Sequence, residues 1–478
     1  MMNEALKKII SEGKDLTLNS QDVKKGSIFI AIVGLEFDGR DFIEEAIKNG
    51  ASAVIYESAN YSKNKAWNVP SFGIENLNQK IAEIAELFFQ NPSQSIKVIG
   101  VTGTNGKTSV VGWLQQCFSS LNQSAGSIGT LGSGEKNLKK TLNTTPDTIA
   151  LNRILNDFKK KGIQYAAMEV SSHAIKQNRI ANIVFDIKVL TNVTRDHLDY
   201  HKTLANYQKI KKQFFSDGEC KNFILNIDDC IGQELLMEVD WSEKNLTTYA
   251  IDVQADLMAQ NIVYKDRKMM FDLLYKDKAY NLSTNVFGTH NVYNILGVIG
   301  CLLTYQFSID QIIKAIELLK SIPGRNEIIQ VSKEGWPRVV LDYAHTPDAL
   351  KNVLQSLRAI SDNEIILLFG CGGNRDKGKR RKMALVANEY ADKVIVTTDN
   401  PRYEDPLEII KDITKNITTS HVVIESREQA IKKAIGMMEE NSILLIAGKG
   451  HEQHQEIKGI KYQFSDKDIA LLELGGIT

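Results

Sequence analysis

Ile96-Lys97-Val98-Ile99-Gly100-Val101, followed by Thr102-Gly103-Thr104-Asn105-Gly106-Lys107-Thr108, is the stretch from which the fold of this chain can be read. The apolar run has the length of a buried strand, and a helical window to Leu121 follows the loop. Glycines let backbone N–H groups approach phosphate oxygens, and the N-terminus of the next helix adds partial positive charge. Lys107 is placed to reach the β- and γ-phosphates, and Thr108 to ligate Mg²⁺. Strict Walker A spacing requires Gly at 101, where Val101 stands, so the loop is a variant with Gly100 and Gly103 on either side. A glycine-rich turn with a stray lysine is the bland alternative. Strand, loop, Lys-Thr and helix in that order weigh against it.

A mononucleotide site also needs an acid at the end of a neighbouring strand. Ala166-Ala167-Met168-Glu169-Val170 offers Glu169, followed by the polar Ser171-Ser172-His173. Beside the phosphate loop, Glu169 reads as a metal ligand rather than a solvated strand end. Thr191 through His201 follows another apolar run and holds Asp196, His197, Asp199 and His201. No Cys or HExxH pattern marks a transition-metal site. A second hard-cation shell with His197 as its nitrogen ligand and plain surface polarity both remain open from the residues.

Three textures succeed one another: residues 1–95, 96–327 and 328–478. The first holds two β-rich runs, Ser27–Val33 and Ala51–Tyr56, around a helical Asp41–Lys48, and Asn91–Ser95 reads as a linker. The second alternates strands and helices in βαβ fashion, then becomes strand-like from Leu246 to Val286, as a local antiparallel insertion would. In the third, Val339–Leu341, Ile365–Phe369, Val394–Val396 and Ile443–Ile446 alternate with helical windows, the rhythm of a doubly wound sheet. The expected fold class is α/β in three domains: a central P-loop-type ATPase domain with a mixed sheet and a C-terminal Rossmann-like, doubly wound domain follow the first.

Composition narrows the remaining classes. The 478 residues are 43% hydrophobic and 24% charged, with 58 Lys+Arg against 58 Asp+Glu, close to a globular average. Zero net charge argues against nucleic acid or an anionic membrane as main partner. Five scattered cysteines without a CxxC pair indicate neither a disulfide framework nor a zinc site. No apolar run approaches the ~20 residues of a membrane span, and no leader pattern opens the chain. The expectation is a soluble cytoplasmic protein.

The sequence resembles the Mur ligase family, ATP-dependent amino-acid-adding enzymes of peptidoglycan synthesis. The resemblance rests on Thr102–Thr108, Glu169–His173, Asn192–His201, Gly288–Asn294, Pro323-Gly324-Arg325 and Leu341–Pro347, in order along all three regions. Gly370–Arg380, Asp399-Asn400-Pro401-Arg402 and Ala447–Glu452 resemble the diaminopimelate-adding members. Asn374 stands where the family usually has Asp, and His290 where it has Phe.

The resemblance implies a cell-wall enzyme tied to cell shape, division and the cell cycle. It phosphorylates the D-glutamate carboxylate of a UDP-N-acetylmuramoyl dipeptide with ATP, and an incoming amine attacks the acyl phosphate. ATP is implied at Gly103, Thr104, Asn105, Gly106, Lys107, Thr108, Asn291, Asn294, Arg325 and Asp342. Two Mg²⁺ ions are implied, one on Thr108 and Glu169, the other near His197. Lys211 corresponds to a lysine that carries a carbamate (N6-carboxylysine), which turns a cation into an oxygen donor. Lys107, Glu169, His197 and Lys211 form the implied catalytic set.

Residues 1–95 are implied to bind the uridine nucleotide through Leu18, Ser20, Leu35, Glu36 and Phe37. Asn143, Thr144, Thr145, Ser171, Gln177 and Arg179 hold the muramoyl dipeptide. Residues 96–327 bind ATP, and 328–478 the amino acid through Arg375, Asp399, Asn400, Pro401, Arg402, Gly448 and Glu452. Arg402 points to meso-diaminopimelate, because a guanidinium clamps its second carboxylate and gives lysine's bare ammonium nothing. L-Lysine as the added amino acid, a P-loop switch module and a folylpolyglutamate-synthetase-like ligase are the competing readings. A monomer is expected.

Overall fold

The computed structural model describes residues 4–34, 37–61, 66–265, 268–331 and 337–475. Their backbone contacts separate two units. Residues 1–100, 123–188 and 216–221 form the first, and residues 101–122, 189–215 and 222–478 the second.

In the first unit, four parallel strands, Asp15–Thr17, Ser27–Ala31, Ala53–Glu57 and Ser71–Ile74, lie side by side in chain order. Ser27–Ala31 is buried along its whole length because both sheet faces are covered. Ile28 and Ile30 pack with Leu6, Ile10, Ile81 and Ile84 of the helices Glu4–Glu12 and Leu77–Phe89. Phe29 and Ala31, one residue out of phase, pack with Ile43, Ala46 and Trp67. Asn91–Ser95 is no slack connector: Pro92–Ser95 is a turn of 3-10 helix, and buried Ser93 accepts from the Val184 N–H at 3.1 Å. Further along, Ala125–Gly129 pairs parallel with Tyr165–Glu169 and antiparallel with Gly132–Gly134. The helix Thr148–Lys160 starts at Asp147, whose carboxylate accepts from the N–H groups of Ile149 and Ala150. Arg153 of that helix pairs with Asp15 at 2.9 Å and donates to the Leu16 carbonyl.

In the second unit, the helix Lys107–Ser120 directly follows the phosphate loop. Asn222–Asn226 and Asn245–Ala250 pair in parallel, which departs from the antiparallel insertion expected from Leu246. The helix Cys230–Glu238 connects them, and a helical crossover returns the chain in the same direction. Antiparallel pairing begins only with Leu257–Lys265 against Lys268–Tyr275, which in turn pairs antiparallel with Lys278–Thr284. Alternating hydrophobicity marks a strand but carries no direction, hence the departure.

The C-terminal sheet has the strand order Glu327–Val331, Pro337–Asp342, Ile443–Ala447, Ile365–Phe369, Lys393–Val396, Ser420–Val423. Only the first pair is antiparallel. Ile443–Ala447 is inserted between two strands that precede it in the chain. The loops after Asp342, Phe369, Val396 and Ala447 therefore open on one edge of the sheet, at its topological switch point. The edge strand Ser420–Val423 is exposed at each position, and its short mixed sequence gives no strand signal. The hairpin His454–Ile457/Ile460–Gln463 likewise has no precedent in the sequence reading. No helix among the described residues is long and apolar enough to cross a membrane.

Candidate active site

Why the loop at 103–108 needs its glycines is visible in its surroundings. A Cβ on Gly103 (φ +150°) would lie 1.9 Å from Thr191 Oγ1, and one on Gly106 (φ +87°) 2.2 Å from Asn294 Oδ1. The end of the strand Ile187–Leu190 then props the loop. Asn192 accepts from the Asn105 N–H with Oδ1 (3.0 Å) and from the Thr104 N–H with its carbonyl (2.7 Å), while Thr191 Oγ1 donates to the Asn105 carbonyl (2.6 Å). Thr104 Oγ1 donates to the Thr194 carbonyl at 3.1 Å and lies 3.0 Å from the Tyr207 hydroxyl.

Two ammonium groups converge on one carbonyl. Lys107 Nζ donates to the carbonyls of Gly103 (2.7 Å) and Thr104 (2.8 Å). Lys211 Nζ, on a side chain buried to 1% exposure, donates to the same Gly103 carbonyl (3.0 Å) and to Thr102 Oγ1 (2.9 Å). Such paired positive charge is a site for anions. His197 sits beside them with its backbone left-handed (φ +52°). Its side chain keeps 42% exposure, yet the protein atoms crowding the ring push its pKa down to about 4. Asp196 opposes that shift and Lys107 adds to it, so the imidazole is neutral at pH 7. Burial works against ionisation of Asp196, but His197, His345 and Lys379 and the His197 N–H bring it to about 2. With the imidazoles neutral, Lys379 and that N–H remain as its support at pH 7.

Arg325 links the far side of the loop to the C-terminal sheet. Its Nη2 donates to Thr108 Oγ1 (3.1 Å), and its guanidinium lies 4.3 Å from the Tyr343 ring centre. Asp342 accepts from the N–H groups of Asn326 and Ala344, both at 2.7 Å. Burial nonetheless raises its pKa to about 6, against the pull of Arg325 and those two donors. Asn291 and Asn294 are buried on the helix Thr289–Thr304, with Asn294 Nδ2 donating to Asn291 Oδ1 at 3.1 Å. His290 Nε2 lies 3.0 Å from Asn326 Nδ2, which can only donate, so its proton belongs on Nδ1, 3.4 Å from Ser356 Oγ.

At the switch-point edge, four loops bring the expected amino-acid residues together. Arg402 (φ +52°) has its own N–H bonded to the Glu456 carbonyl (3.1 Å) and its carbonyl to the Lys458 N–H (2.7 Å). Its Nη1 donates to the Gly373 carbonyl (2.9 Å) and its Nε faces Glu456 Oε2 at 3.2 Å. Asn400 Nδ2 donates to Glu452 Oε2 (2.9 Å), and buried Asp399 lies against Gly448. Pro401 is buried in the same turn. Arg375 is half-exposed with its guanidinium 3.5 Å from Asp199 Oδ2, while its neighbour Asp376 binds Arg195 at 3.0 Å.

Within the first unit a second constellation forms. Glu169 accepts from the Thr130 N–H (2.8 Å) and Thr130 Oγ1 (3.2 Å), and its carbonyl accepts from Thr145 Oγ1 (2.8 Å). Thr145 Oγ1 lies 3.2 Å from Ser171 Oγ, and Thr144 Oγ1 lies 3.1 Å from Thr130 Oγ1. Arg179 donates to the Thr145 carbonyl (2.8 Å) and twice to Gln177 Oε1 (2.6 and 2.9 Å). Leu18 packs on the N-terminal core, Ser20 donates to Glu45 at 2.7 Å, and Phe37 and Asn143 are exposed. Leu35 and Glu36 lie outside the described residues.

Sequence reasoning passed over four residues that the structure places in these groups. Asp348 accepts from Asn105 Nδ2 (3.1 Å) and Thr194 Oγ1 (3.3 Å). Lys449 and Glu456 belong to the Asn400 network, and Tyr207 to the Thr104 pair. Asp348 and Lys449 adjoin or lie inside recognisable motifs, so their position was a signal. Glu456 sits in an unmarked polar hairpin and gave none.

Three family models match consecutive parts of the chain: "Mur ligase family, catalytic domain" at residues 14–89, "Mur ligase middle domain" at 101–302 and "Mur ligase, glutamate ligase domain" at 324–450. A Pseudomonas putida protein named UDP-N-acetylmuramoyl-L-alanyl-D-glutamate–2,6-diaminopimelate ligase is 40% identical over 463 residues, covering 95% of this chain and 93% of its own. The Aquifex aeolicus protein of the same name is 40% identical over 472 residues, covering 98% and 95%. A solved structure of that name aligns with a TM-score of 0.67 at 32% identity, over 97% of this chain and 95% of its own.

Proposed function

The chain belongs to the Mur ligase family, and from that premise we propose that it joins meso-diaminopimelate to UDP-N-acetylmuramoyl-L-alanyl-D-glutamate at the expense of ATP. The observation that carries the choice of amino acid is Arg402. Its Nε and Nη1 are engaged by Glu456 and Gly373, and its Nη2 has no partner among the described residues. A guanidinium so held offers a charge-assisted hydrogen bond to a distal carboxylate, which lysine lacks.

The reaction converts a carboxylate, a poor electrophile, into an acyl phosphate with a good leaving group. Backbone N–H groups of 103–108, Lys107 and Arg325 hold the triphosphate and offset the charge that builds on it. The amine of diaminopimelate then attacks the acyl carbon, and the tetrahedral intermediate collapses to amide and phosphate. Asn291 and Asn294 lie on the nucleoside side, while Thr144, Thr145, Ser171, Gln177 and Arg179 hold the muramoyl dipeptide. Leu18, Ser20, Leu35, Glu36 and Phe37 take the uridine end.

Magnesium fits the donor set. Among the described residues no group of three or more His, Cys, Asp or Glu forms a cage, and Mg²⁺ characteristically relies on phosphate oxygens with only one or two protein ligands. Two ions are proposed, one served by Thr108 and the other by His197 and a carbamylated Lys211. When bound, the ions would offset the negative charge on the phosphate oxygens. A carbamate on Lys211 relieves the crowding of its ammonium with that of Lys107 at the Gly103 carbonyl. ATP as substrate points to the cytoplasm. A monomer is proposed.

The test is phosphate release with ATP, the UDP-dipeptide and either amino acid. A kcat/KM for meso-diaminopimelate about 10⁴-fold above that for L-lysine is expected, the scale at which a polar site rejects an analogue lacking its partner group. Equal or better use of lysine refutes the assignment.

A further inference from the structure

We infer that Lys449 is a positioning residue for the far end of the diamino acid, fixing the Asn400 amide and the Glu452 carboxylate in the one arrangement that reads it. The inference rests on the proposed roles of Asn400 and Glu452 as amino-acid contacts.

Lys449 is an unusual lysine, with a side chain at 0% exposure. A buried ammonium requires partners, and both of its hydrogen-bond acceptors are pocket side chains: Asn400 Oδ1 at 3.0 Å and Glu452 Oε2 at 2.8 Å. The Phe464 ring centre lies 6.0 Å from Nζ. Asn400 Oδ1 also accepts from the Glu456 N–H at 2.9 Å, so its two lone pairs are filled. That fixes which end of the amide is oxygen. Asn400 Nδ2 then gives one hydrogen to Glu452 Oε2 at 2.9 Å and keeps the other. Glu452 Oε2 takes two donors, and Oε1 has no hydrogen-bond partner among the described residues.

One amide N–H and one carboxylate oxygen therefore remain unspent, side by side on a pair that Lys449 holds. A carbon bearing both carboxylate and ammonium satisfies both. A lone ammonium leaves the N–H unmet. Lys449 has a second effect in the same direction: burial opposes ionisation of Asp399, and Lys449 is the largest of the charges that keep its pKa low. Without the ammonium, the amide is free to turn over, Glu452 loses an anchor, and neither group is held for substrate.

The full-length enzyme with Lys449→Met tests this. KM for meso-diaminopimelate is expected to rise about 10–100-fold, as when the group orienting a ligating side chain is removed. Trapping of the acyl phosphate with hydroxylamine, in ATP and UDP-dipeptide without amino acid, is expected to stay at the parent level. Combined with Glu452→Gln, the loss should fall short of the product of the single losses, since both act through one contact. If Asn400→Ala and Glu452→Gln raise KM and Lys449→Met does not, the inference fails while the proposed function stands. If Asn400→Ala and Glu452→Gln leave KM unchanged, the reading of the pocket fails and the inference with it. Trapping reduced as far as diaminopimelate use also overturns it. Lys449→Gln, shorter but still a donor, serves if the methionine form does not fold; failure of both to fold assigns Lys449 to the fold and overturns the inference.

Discussion

Arg402→Ala isolates the proposed carboxylate contact. The guanidinium bonds the Gly373 carbonyl at 2.9 Å and Glu456 at 3.2 Å, on a side chain 20% exposed. Truncating one partner of a buried, hydrogen-bonded charge pair costs about 2–5 kcal/mol, and partial exposure puts this site at the lower end, about 2–3 kcal/mol. At 1.4 kcal/mol per tenfold, kcat/KM for meso-diaminopimelate should fall about 30–150-fold. Folding should be little affected. Alanine bears the same left-handed strain as arginine at φ +52°, and the part-exposed pair with Glu456 is worth about 0–1 kcal/mol. Steady-state phosphate release at saturating ATP and UDP-dipeptide reads the loss, and hydroxylamine trapping checks the first half-reaction. Loss of less than about threefold, or KM for ATP rising as much as that for diaminopimelate, refutes the reasoning.

Two further expectations concern buried charge. Arg427 and Asp466 form a pair at 2.7 Å with both side chains at 0% exposure, and Arg427 also donates to the Ala447 carbonyl at 2.9 Å. Arg427→Met strands the Asp466 carboxylate and should cost about 3–5 kcal/mol in urea denaturation, while the double variant with Asp466→Leu should recover part of it; a loss under about 1 kcal/mol counts against a paired charge. For His290, burial takes the pKa down from 6.5 to about 4. A folded-state pKa below the unfolded one gives stability that is present above pH 6.5 and lost as pH falls toward 4. His290→Phe should therefore lose about 2–3 kcal/mol less than the parent between pH 7 and pH 4.5, and parallel losses reject the desolvated neutral imidazole.

Legibility in the sequence followed the range of the interactions. The phosphate loop could be read because its strand, its glycines, Lys107, Thr108 and its helix occupy one short window whose local geometry depends on few other residues. Ser27–Ala31 could be read because a strand covered on both faces is apolar at consecutive positions. The parallel direction of Asn245–Ala250 could not, since it depends on the helical connection before it rather than on its own pattern. The hairpin carrying Glu456 is polar and exposed over much of its length, and has meaning only through the backbone bonds it makes with Arg402.

By itself the sequence determined the α/β class, the family resemblance and the motif residues, because each rests on neighbours in the chain. Tertiary structure alone decided that Asn400, Lys449, Glu452 and Glu456 share one hydrogen-bond network. The physical reason is the strand order: Ile443–Ala447 enters the sheet beside Ile365–Phe369, and so carries the Gly448–Glu452 turn to the side of a loop some fifty residues earlier in the chain.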